Sequence, residues 1–294
     1  CEQALYRSIS LPRHPRRSIR LLETFLLRPD LALLVRHLEI DLSWRRPGPF
    51  PPGQVPSALQ PDGLEALSLA KNIKSLSLDG TWIWKPEMAE FRETIFNMKL
   101  VQLEVPLISD PDVLPECIYQ RVLNEDSDGE ENWDGESGSL GGDLGNKICR
   151  LLQAQPLLGE LKLTDPEISH TTKQSLQENL QVTDVPSLKS LQADPYVAMA
   201  FLRVAPRLES LNLMLASWDD ALLSKMETNS AAIKFSIRRF TIRVKYSSGE
   251  DQWFWKNITK VFSLFPNIEQ LAVTVNAFTR KEETEPARYY FQMV

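Results

Sequence analysis

The sequence has few of the side chains on which disulfide bridges and metal sites depend. It contains only three cysteines and three histidines in 294 residues. Cys1, Cys117 and Cys149 are odd in number and far apart, with no Cys-x-x-Cys pair and no histidine at ligand spacing. The pattern excludes a disulfide framework and gives no metal-ligand motif, and it favours a reducing compartment.

Long apolar runs are also missing. No run reaches the roughly 18 residues that a membrane helix needs. The first residues lack the charged-then-apolar order of a signal peptide. We therefore expect a cytoplasmic or nuclear protein that neither spans nor binds a membrane. Because the chain begins with Cys1 and not with Met, we also expect that further residues precede it.

The catalytic motifs of the common enzyme classes are absent. His14, His37 and His170 have no Cys or Ser partner at a recognisable spacing, and there is no P-loop, dinucleotide fingerprint or nucleophile elbow. The acidic stretch lacks the Asp-x-Asp-x-Asp-Gly plan of a calcium loop. We expect no catalytic residue, no cofactor and no metal, and hence a protein that is not an enzyme.

Acidic residues are concentrated in one stretch. Eight of them lie between Asn124 and Asp143, where there is no Lys or Arg, while the whole chain has a net charge of −6. The rest of the chain is therefore close to neutral. A nearly neutral body predicts no general attraction to nucleic acid.

What the sequence does contain is a recurring phrase, clearest as RLESLNL at Arg207–Leu213, in which an apolar residue precedes x-x-Leu-x-Leu. The first Leu of x-x-Leu-x-Leu, which is Leu211 in this copy, serves as a marker. The marker position recurs at Ile9, Leu38, Leu76, Leu103, Leu161, Leu191, Leu211, Phe240 and Leu271. Successive markers are 20 to 38 residues apart, except for one interval of 58 residues. Such internal repetition is typical of a solenoid, and this phrase is typical of the strand of a leucine-rich repeat.

Between the phrases the apolar period changes from two to about 3.6, which predicts a helix after each strand. One amphipathic helix is expected within Asp251–Phe265, and another should open at Asp194-Pro195, where Asp is an N-cap followed by Pro. Helices should stop at prolines that precede the next strand, because proline cannot continue the helical ladder. These prolines are Pro29, Pro156, Pro206 and Pro266.

The predicted fold class is therefore α/β: a leucine-rich-repeat-like solenoid with a curved parallel sheet on the concave side and helices on the convex side. We expect a single domain over residues 1–294. Two insertions interrupt it: a proline-rich loop at residues 44–61, and an acidic, Gly/Ser-rich stretch at residues 124–143 that we expect to be disordered.

Alternate strand residues face opposite sides of a sheet, so the residues between the core leucines should line the concave face. This reasoning gives eleven candidate partner-binding residues: Glu39, Asp41, Ser77, Asp79, Glu104, Lys162, Thr164, Asn212, Thr241, Arg243 and Lys245. Along this order the face runs from acidic to basic. A graded surface of this kind suits a protein partner, and an ordinary solvated sheet face remains the alternative.

The N-terminal residues carry a family resemblance. ALYRSISL at Ala4–Leu11, followed by RSIRLLETFLLRPDLALLVRHLEI, resembles the region after the F-box in fungal F-box/leucine-rich-repeat proteins. In that family a Leu-Tyr-x-x-Ile-x-Leu strand leads into a helix ending in Arg-Pro-x-Leu and then into a Val-Arg-x-Leu strand. The matching residues are Leu5, Tyr6, Ile9, Leu11, Arg28, Pro29, Leu31, Val35, Arg36 and Leu38. The later phrases VPSLKSLQA, APRLESLNL and FPNIEQLAV resemble that family's degenerate repeats.

The resemblance implies a substrate receptor. An F-box would bind the Skp-type adaptor of a cullin ubiquitin ligase, and the repeats would hold the protein to be ubiquitinated. This chain departs from the pattern because it has no F-box, so an F-box is expected upstream and adaptor binding depends on it. The predicted function is a non-catalytic protein-interaction module, the substrate-recognition part of such an F-box subunit. The alternative is a leucine-rich-repeat scaffold or regulator unrelated to ubiquitination.

Overall fold

The computed structural model describes the repeats and leaves out most of the segments between them. The described ranges are residues 2–11, 15–41, 61–79, 81–84, 88–106, 140–164, 170–216, 220–231, 233–245, 259–276 and 287–292. Most of the predicted proline-rich loop and most of the predicted acidic insertion lie outside these ranges.

A single sheet runs through all of the described repeats. Its strands are β1 (Ser8–Leu11), β2 (His37–Asp41), β3 (Ser75–Asp79), β4 (Gln102–Pro106), β5 (Glu160–Thr164), β6 (Ser190–Ala193), β7 (Ser210–Ala216), β8 (Arg239–Lys245), β9 (Gln270–Asn276) and β10 (Ala287–Gln292). The strands lie in sequence order. The pairings from β1 to β9 are parallel, and β10 pairs antiparallel with β9.

Helices follow most of the strands. They are α1 (Glu2–Tyr6), α2 (Pro15–Leu27), α3 (Pro29–Ala32), α4 (Pro61–Leu69), α5 (Ala89–Phe96), α6 (Leu140–Gln153), α7 (His170–Asn179), α8 (Pro195–Val204) and α9 (Asp220–Ser230). Short 3-10 turns occur at Thr81–Trp84 and Val182–Asp184. Residues 259–264 are also helical, within the predicted amphipathic helix, whose residues 251–258 lie outside the described ranges.

The repeated phrase sets the register of the sheet. Each marker residue pairs with the marker of the next strand, from Ile9 with Leu38 through to Phe240 with Leu271. Every marker from Leu38 onward is buried, and Ile9, at the edge of the sheet, is partly buried. Because the side-chain period of a strand is two, a slip of one residue would expose this whole apolar row. The row therefore holds the strands in one register.

The helices cover one face of the sheet. Consecutive helices pack against each other from α4 to α9, and their apolar residues share one core cluster with the marker residues. Strands in a sheet are about 4.8 Å apart, whereas packed helices need roughly 8–10 Å. The helical layer is longer than the strand layer, so the sheet lies on the concave side. The predicted fold class is confirmed.

One predicted helix start is reproduced in detail. The Asp194 carboxylate accepts a hydrogen bond from the backbone N–H of Tyr196 at 2.9 Å, and Pro195 is the first residue of α8. The carboxylate satisfies one of the N–H groups that a helix leaves unpaired at its start. The helix ends at Val204, before Pro206, as expected.

Other boundaries differ from the sequence expectations. Pro29 does more than stop α2, because it opens the short helix α3, where its missing N–H costs nothing. The Arg28 guanidinium donates to the Asp30 carboxylate at 2.9 and 2.7 Å and lowers the pKa of Asp30. Leu5 and Tyr6, which the resemblance placed in a strand, belong to α1, and β1 begins at Ser8.

The ends of both predicted insertions are also corrected. Helix α6 begins at Leu140, four residues inside the stretch expected to be disordered, because Leu144 and Ile148 bury an apolar stripe that favours the helix. Helix α4 begins at Pro61, the last residue of the predicted loop, where proline is well tolerated.

Candidate partner-binding face

The face opposite the helices is formed by the strand residues that alternate with the buried leucines. One row crosses seven strands in continuous register: Glu39, Ser77, Glu104, Lys162, Gln192, Asn212 and Thr241. Each follows a marker residue by one position. All are partly or fully exposed, whereas their neighbours along the strand are buried. We call the surface made by this row and its flanking polar positions the open face.

All eleven predicted residues belong to strands, and six of them lie in this row. Thr164 and Arg243 lie two positions further along their strands and are half-buried. Asp41, Asp79 and Lys245 have described backbones, at the ends of β2, β3 and β8. Their side chains lie outside what the structure describes. The alternation of strand residues therefore places the predicted set on adjacent strands.

Two charged side chains at the centre of the open face neutralise each other. Lys162 Nζ of β5 forms an ion pair with Glu104 Oε1 of β4, and both side chains are partly buried. Next to them, Gln102 Nε2 donates to Glu160 Oε2 at 2.8 Å. The acidic-to-basic run expected from the sequence is thus interrupted at its middle. Toward its ends lie Glu39 and Arg243, whose charges form no ion pair with another described side chain.

Polar residues that the prediction did not include complete this region. A shallow groove of about 210 Å³ spans β3 to β6. Its polar lining consists of Ser75, Ser77, Gln102, Glu104, Glu160, Lys162, Ser190 and Gln192. Ser75, Gln102, Glu160 and Ser190 each precede a marker by one position. They therefore face the same side of the sheet as the row residue that follows that marker, and applying the alternation to the position before each marker would have predicted them.

An amide pair continues the row beyond the groove. Asn212 Nδ2 donates to Gln192 Oε1 at 2.9 Å, and Gln192 Nε2 contacts Met214 Sδ at 2.9 Å. Asn212 Oδ1 is buried and has no hydrogen-bond donor among the described residues. A buried acceptor without a donor costs about 1–3 kcal/mol.

Groups that could support nucleophilic or metal chemistry do not converge in the described parts of the chain. No cluster of three or more His, Cys, Asp or Glu residues that could hold a metal is found there. Cys149 is buried, and burial, together with the charge of Asp184, raises the pKa of its thiol to about 11. The thiol is therefore protonated at neutral pH. His37 is exposed and His170 begins α7, while His14 lies outside the described ranges.

Among the helices that the structure describes, none has the length and apolar character needed to cross a bilayer.

A parallel sheet in sequence order, with one helical layer and one open polar face, defines a leucine-rich-repeat-like solenoid. Among solved structures, the leucine-rich repeat-containing protein LegL7 from Legionella pneumophila is similar to this chain, with a TM-score of 0.46 and 16% identity over 91% of this chain and 83% of LegL7. No family model and no curated protein matches the sequence.

Proposed function

We propose that this chain is a non-catalytic protein-interaction module and that the open face binds a protein partner. The observation that carries the proposal is the row of polar side chains from Glu39 to Thr241, which crosses seven strands in continuous register on a sheet face that no described helix covers. Such side chains can exchange hydrogen bonds with the backbone and the polar side chains of a partner.

The charges on the open face indicate how the partner is oriented. Glu39 of β2 is exposed, and Arg239 of β8 is exposed beside half-buried Arg243. The Glu104–Lys162 pair between these ends is already neutral. A complementary partner has basic groups over β2 and acidic groups over β8, since opposite charges across an interface fix its register.

The finer part of the proposal is that this module is the substrate-recognition part of an F-box subunit of a cullin-type ubiquitin ligase, in the cytoplasm or nucleus. Support comes from the resemblance of the N-terminal residues, in which Arg28-Pro29 precedes Leu31 and Val35-Arg36 precedes Leu38. The proposal requires an F-box joined to this region, which would bind the Skp-type adaptor. A scaffold unrelated to ubiquitination is the alternative outcome of the test.

Site-specific photo-crosslinking tests the first part. A benzoylphenylalanine placed at Ser77 or Thr241, both on the open face, should capture one partner in cells. The matched control places it at Gln174 or Ser224, which are exposed on helices α7 and α9. Capture of the same partner from both faces, or from the helices alone, would contradict binding through the open face.

Co-purification tests the second part. The full-length protein should bring down the Skp-type adaptor and a cullin, and the captured partner should become ubiquitinated in a reconstituted reaction. If the open face captures a partner and the full-length protein binds no adaptor, the scaffold alternative is the correct one.

A further inference from the structure

A cleft of about 610 Å³ lies at the edge of the sheet where β1, β2 and β3 begin. It is lined by Ala4, Arg7, Leu34, Arg36, His37 and Lys74. Three of these residues, Arg7, Arg36 and Lys74, have basic side chains, and each comes immediately before the first residue of its strand. We call this feature the cationic cleft.

The backbone stacks the three cations. The N–H of Arg36 donates to the carbonyl of Arg7 at 2.9 Å, and the N–H of Lys74 donates to the carbonyl of Arg36 at 2.8 Å. Strands in a sheet are about 4.8 Å apart, so three like charges begin within roughly 10 Å of one another. The three cationic side chains repel one another unless a bound anion neutralises them.

No described carboxylate supplies that anion. None of the ion pairs among the described residues involves Arg7, Arg36 or Lys74. At the far end of the sheet the same position carries opposite charges on neighbouring strands, and there Arg238 pairs with Glu269. The cationic cleft therefore differs from the far end of this edge in placing three cations on neighbouring strands with no described carboxylate beside them.

The central cation is already oriented. Arg36 Nη1 donates to the carbonyl of Asn72 at 3.0 Å, and Asn72 Nδ2 donates to the carbonyl of Leu33 at 2.8 Å. This contact fixes the guanidinium and leaves its remaining N–H donors without a described partner. A donor group held in place loses less entropy when it binds an anion.

We propose that the cationic cleft binds a phosphorylated side chain of a protein partner. A phosphoryl group carries about −1.5 to −2 charges at neutral pH and three acceptor oxygens, which suits three adjacent cations better than a single carboxylate does. Ala4 and Leu34 provide an apolar wall for the flanking peptide. This site goes beyond the proposed function, and it does not depend on what the open face binds.

The length of the cationic row favours one phosphoryl group over a nucleic acid. Val101 and Gly159 occupy the same position before β4 and β5, so the row ends after three strands. A nucleic-acid backbone needs a longer basic track, because it presents charge every few ångströms. The chain as a whole also has a net charge of −6.

Fluorescence anisotropy with the whole protein tests the site. The probe is a short fluorescein-labelled Gly/Ser peptide with one phosphoserine, compared with the same peptide unphosphorylated. Phosphorylation should strengthen binding at least about tenfold, and Arg7→Gln or Lys74→Gln should each weaken it about threefold to tenfold. Both side chains are exposed, so both variants should fold, which circular dichroism checks.

Lys189→Gln is the matched control, because Lys189 holds the same position before β6 and lies outside the cleft. It should leave the affinity unchanged. Inorganic phosphate should displace the peptide better than sodium chloride of equal ionic strength. The proposal is wrong if Lys189→Gln weakens binding as much as Arg7→Gln does, or if chloride displaces the peptide as effectively as phosphate does. It is also wrong if a single-stranded oligonucleotide or inorganic phosphate binds as tightly as the phosphopeptide.

Discussion

The side chain of Gln155 joins two repeats, because its Oε1 accepts a hydrogen bond from the backbone N–H of Leu100 at 2.9 Å. Its Nε2 donates to the carbonyl of Ile95 at 3.0 Å. The amide is buried and lies just after helix α6. It therefore ties the turn before β4 to the end of helix α6, which lies within the 58-residue interval between the markers Leu103 and Leu161.

Replacing Gln155 by Leu should destabilise the protein. The substitution keeps much of the side chain's bulk but leaves a buried N–H and a buried carbonyl without their partners, at about 1–3 kcal/mol each. Urea unfolding should show a loss of about 2–4 kcal/mol. Gln153→Leu, two residues earlier and exposed, should change the stability by less than ~0.5 kcal/mol. Equal effects of both changes would rule out this role for the Gln155 amide.

Helices α6 and α7 approach closely at Gly145. A Cβ placed there would lie 2.4 Å from Ser175 Oγ and 2.6 Å from Ser175 Cβ, closer than real contacts allow. Gly145→Ala should therefore lower the unfolding free energy by about 1–2 kcal/mol, although alanine is the better helix former.

Removing the opposing side chain should restore part of this loss. The double variant Gly145→Ala/Ser175→Gly should be more stable than the two single changes added together predict. A thermodynamic cycle measured by urea unfolding gives the coupling. If the effects simply add, the contact between α6 and α7 is not the cause.

Variants of the Glu104–Lys162 pair should distinguish an effect on stability from an effect on partner binding. Both side chains are about one-third exposed, at 31% and 40%, so Lys162→Ala should cost less than ~1 kcal/mol of stability. Exchanging the charges, as Glu104→Lys/Lys162→Glu, should preserve the ion pair and the melting temperature. Partner binding should still weaken, because the charge pattern of the open face is reversed locally. Unchanged affinity in the exchanged variant would remove this pair from the interface.

The stability should also depend on Cys149 at high pH. The free thiol has an ordinary pKa of 9.0, and in the folded protein its pKa is raised to about 11. Unfolding therefore releases a proton between these values, so the stabilisation is complete below pH 9 and is lost as the pH rises through about 11. Cys149→Ala should flatten this decline of the unfolding free energy with pH, as measured by urea unfolding.

The burial of Cys149 can be tested separately. The reagent DTNB should react slowly with Cys149 at neutral pH in a Cys1→Ser/Cys117→Ser background, and fast reaction would contradict its burial.

The fold could be predicted because the same row of apolar residues is needed in every repeat. The markers from Leu38 to Leu271 must all be buried together, and only one strand register achieves this. Alternation then places Glu39, Ser77 and Asn212 on the open face without further information. The register also puts Glu104 beside Lys162, so their neutralisation could have been deduced where the sequence suggested a continuous gradient.

Contacts between a side chain and a distant backbone could not be predicted in this way. The hydrogen bonds of Gln155 depend on how the chain returns after a long interval, which periodicity does not specify. The close approach at Gly145 depends on the distance between two helices, and the orientation of Arg36 depends on a carbonyl in the next repeat. Each follows from packing geometry in three dimensions, and a single sequence carries no signal for it.

The central claim is that the partner lies against the open face, and its affinity for charge-reversed variants tests this most directly. Calorimetry with the crosslinked partner would compare Lys162→Glu/Arg243→Glu, on the open face, with Arg150→Glu/Lys225→Glu, exposed on helices α6 and α9. We expect the open-face pair to weaken binding by at least about tenfold and the helical pair by less than about twofold. Equal losses, or a larger loss from the helical pair, would contradict the claim.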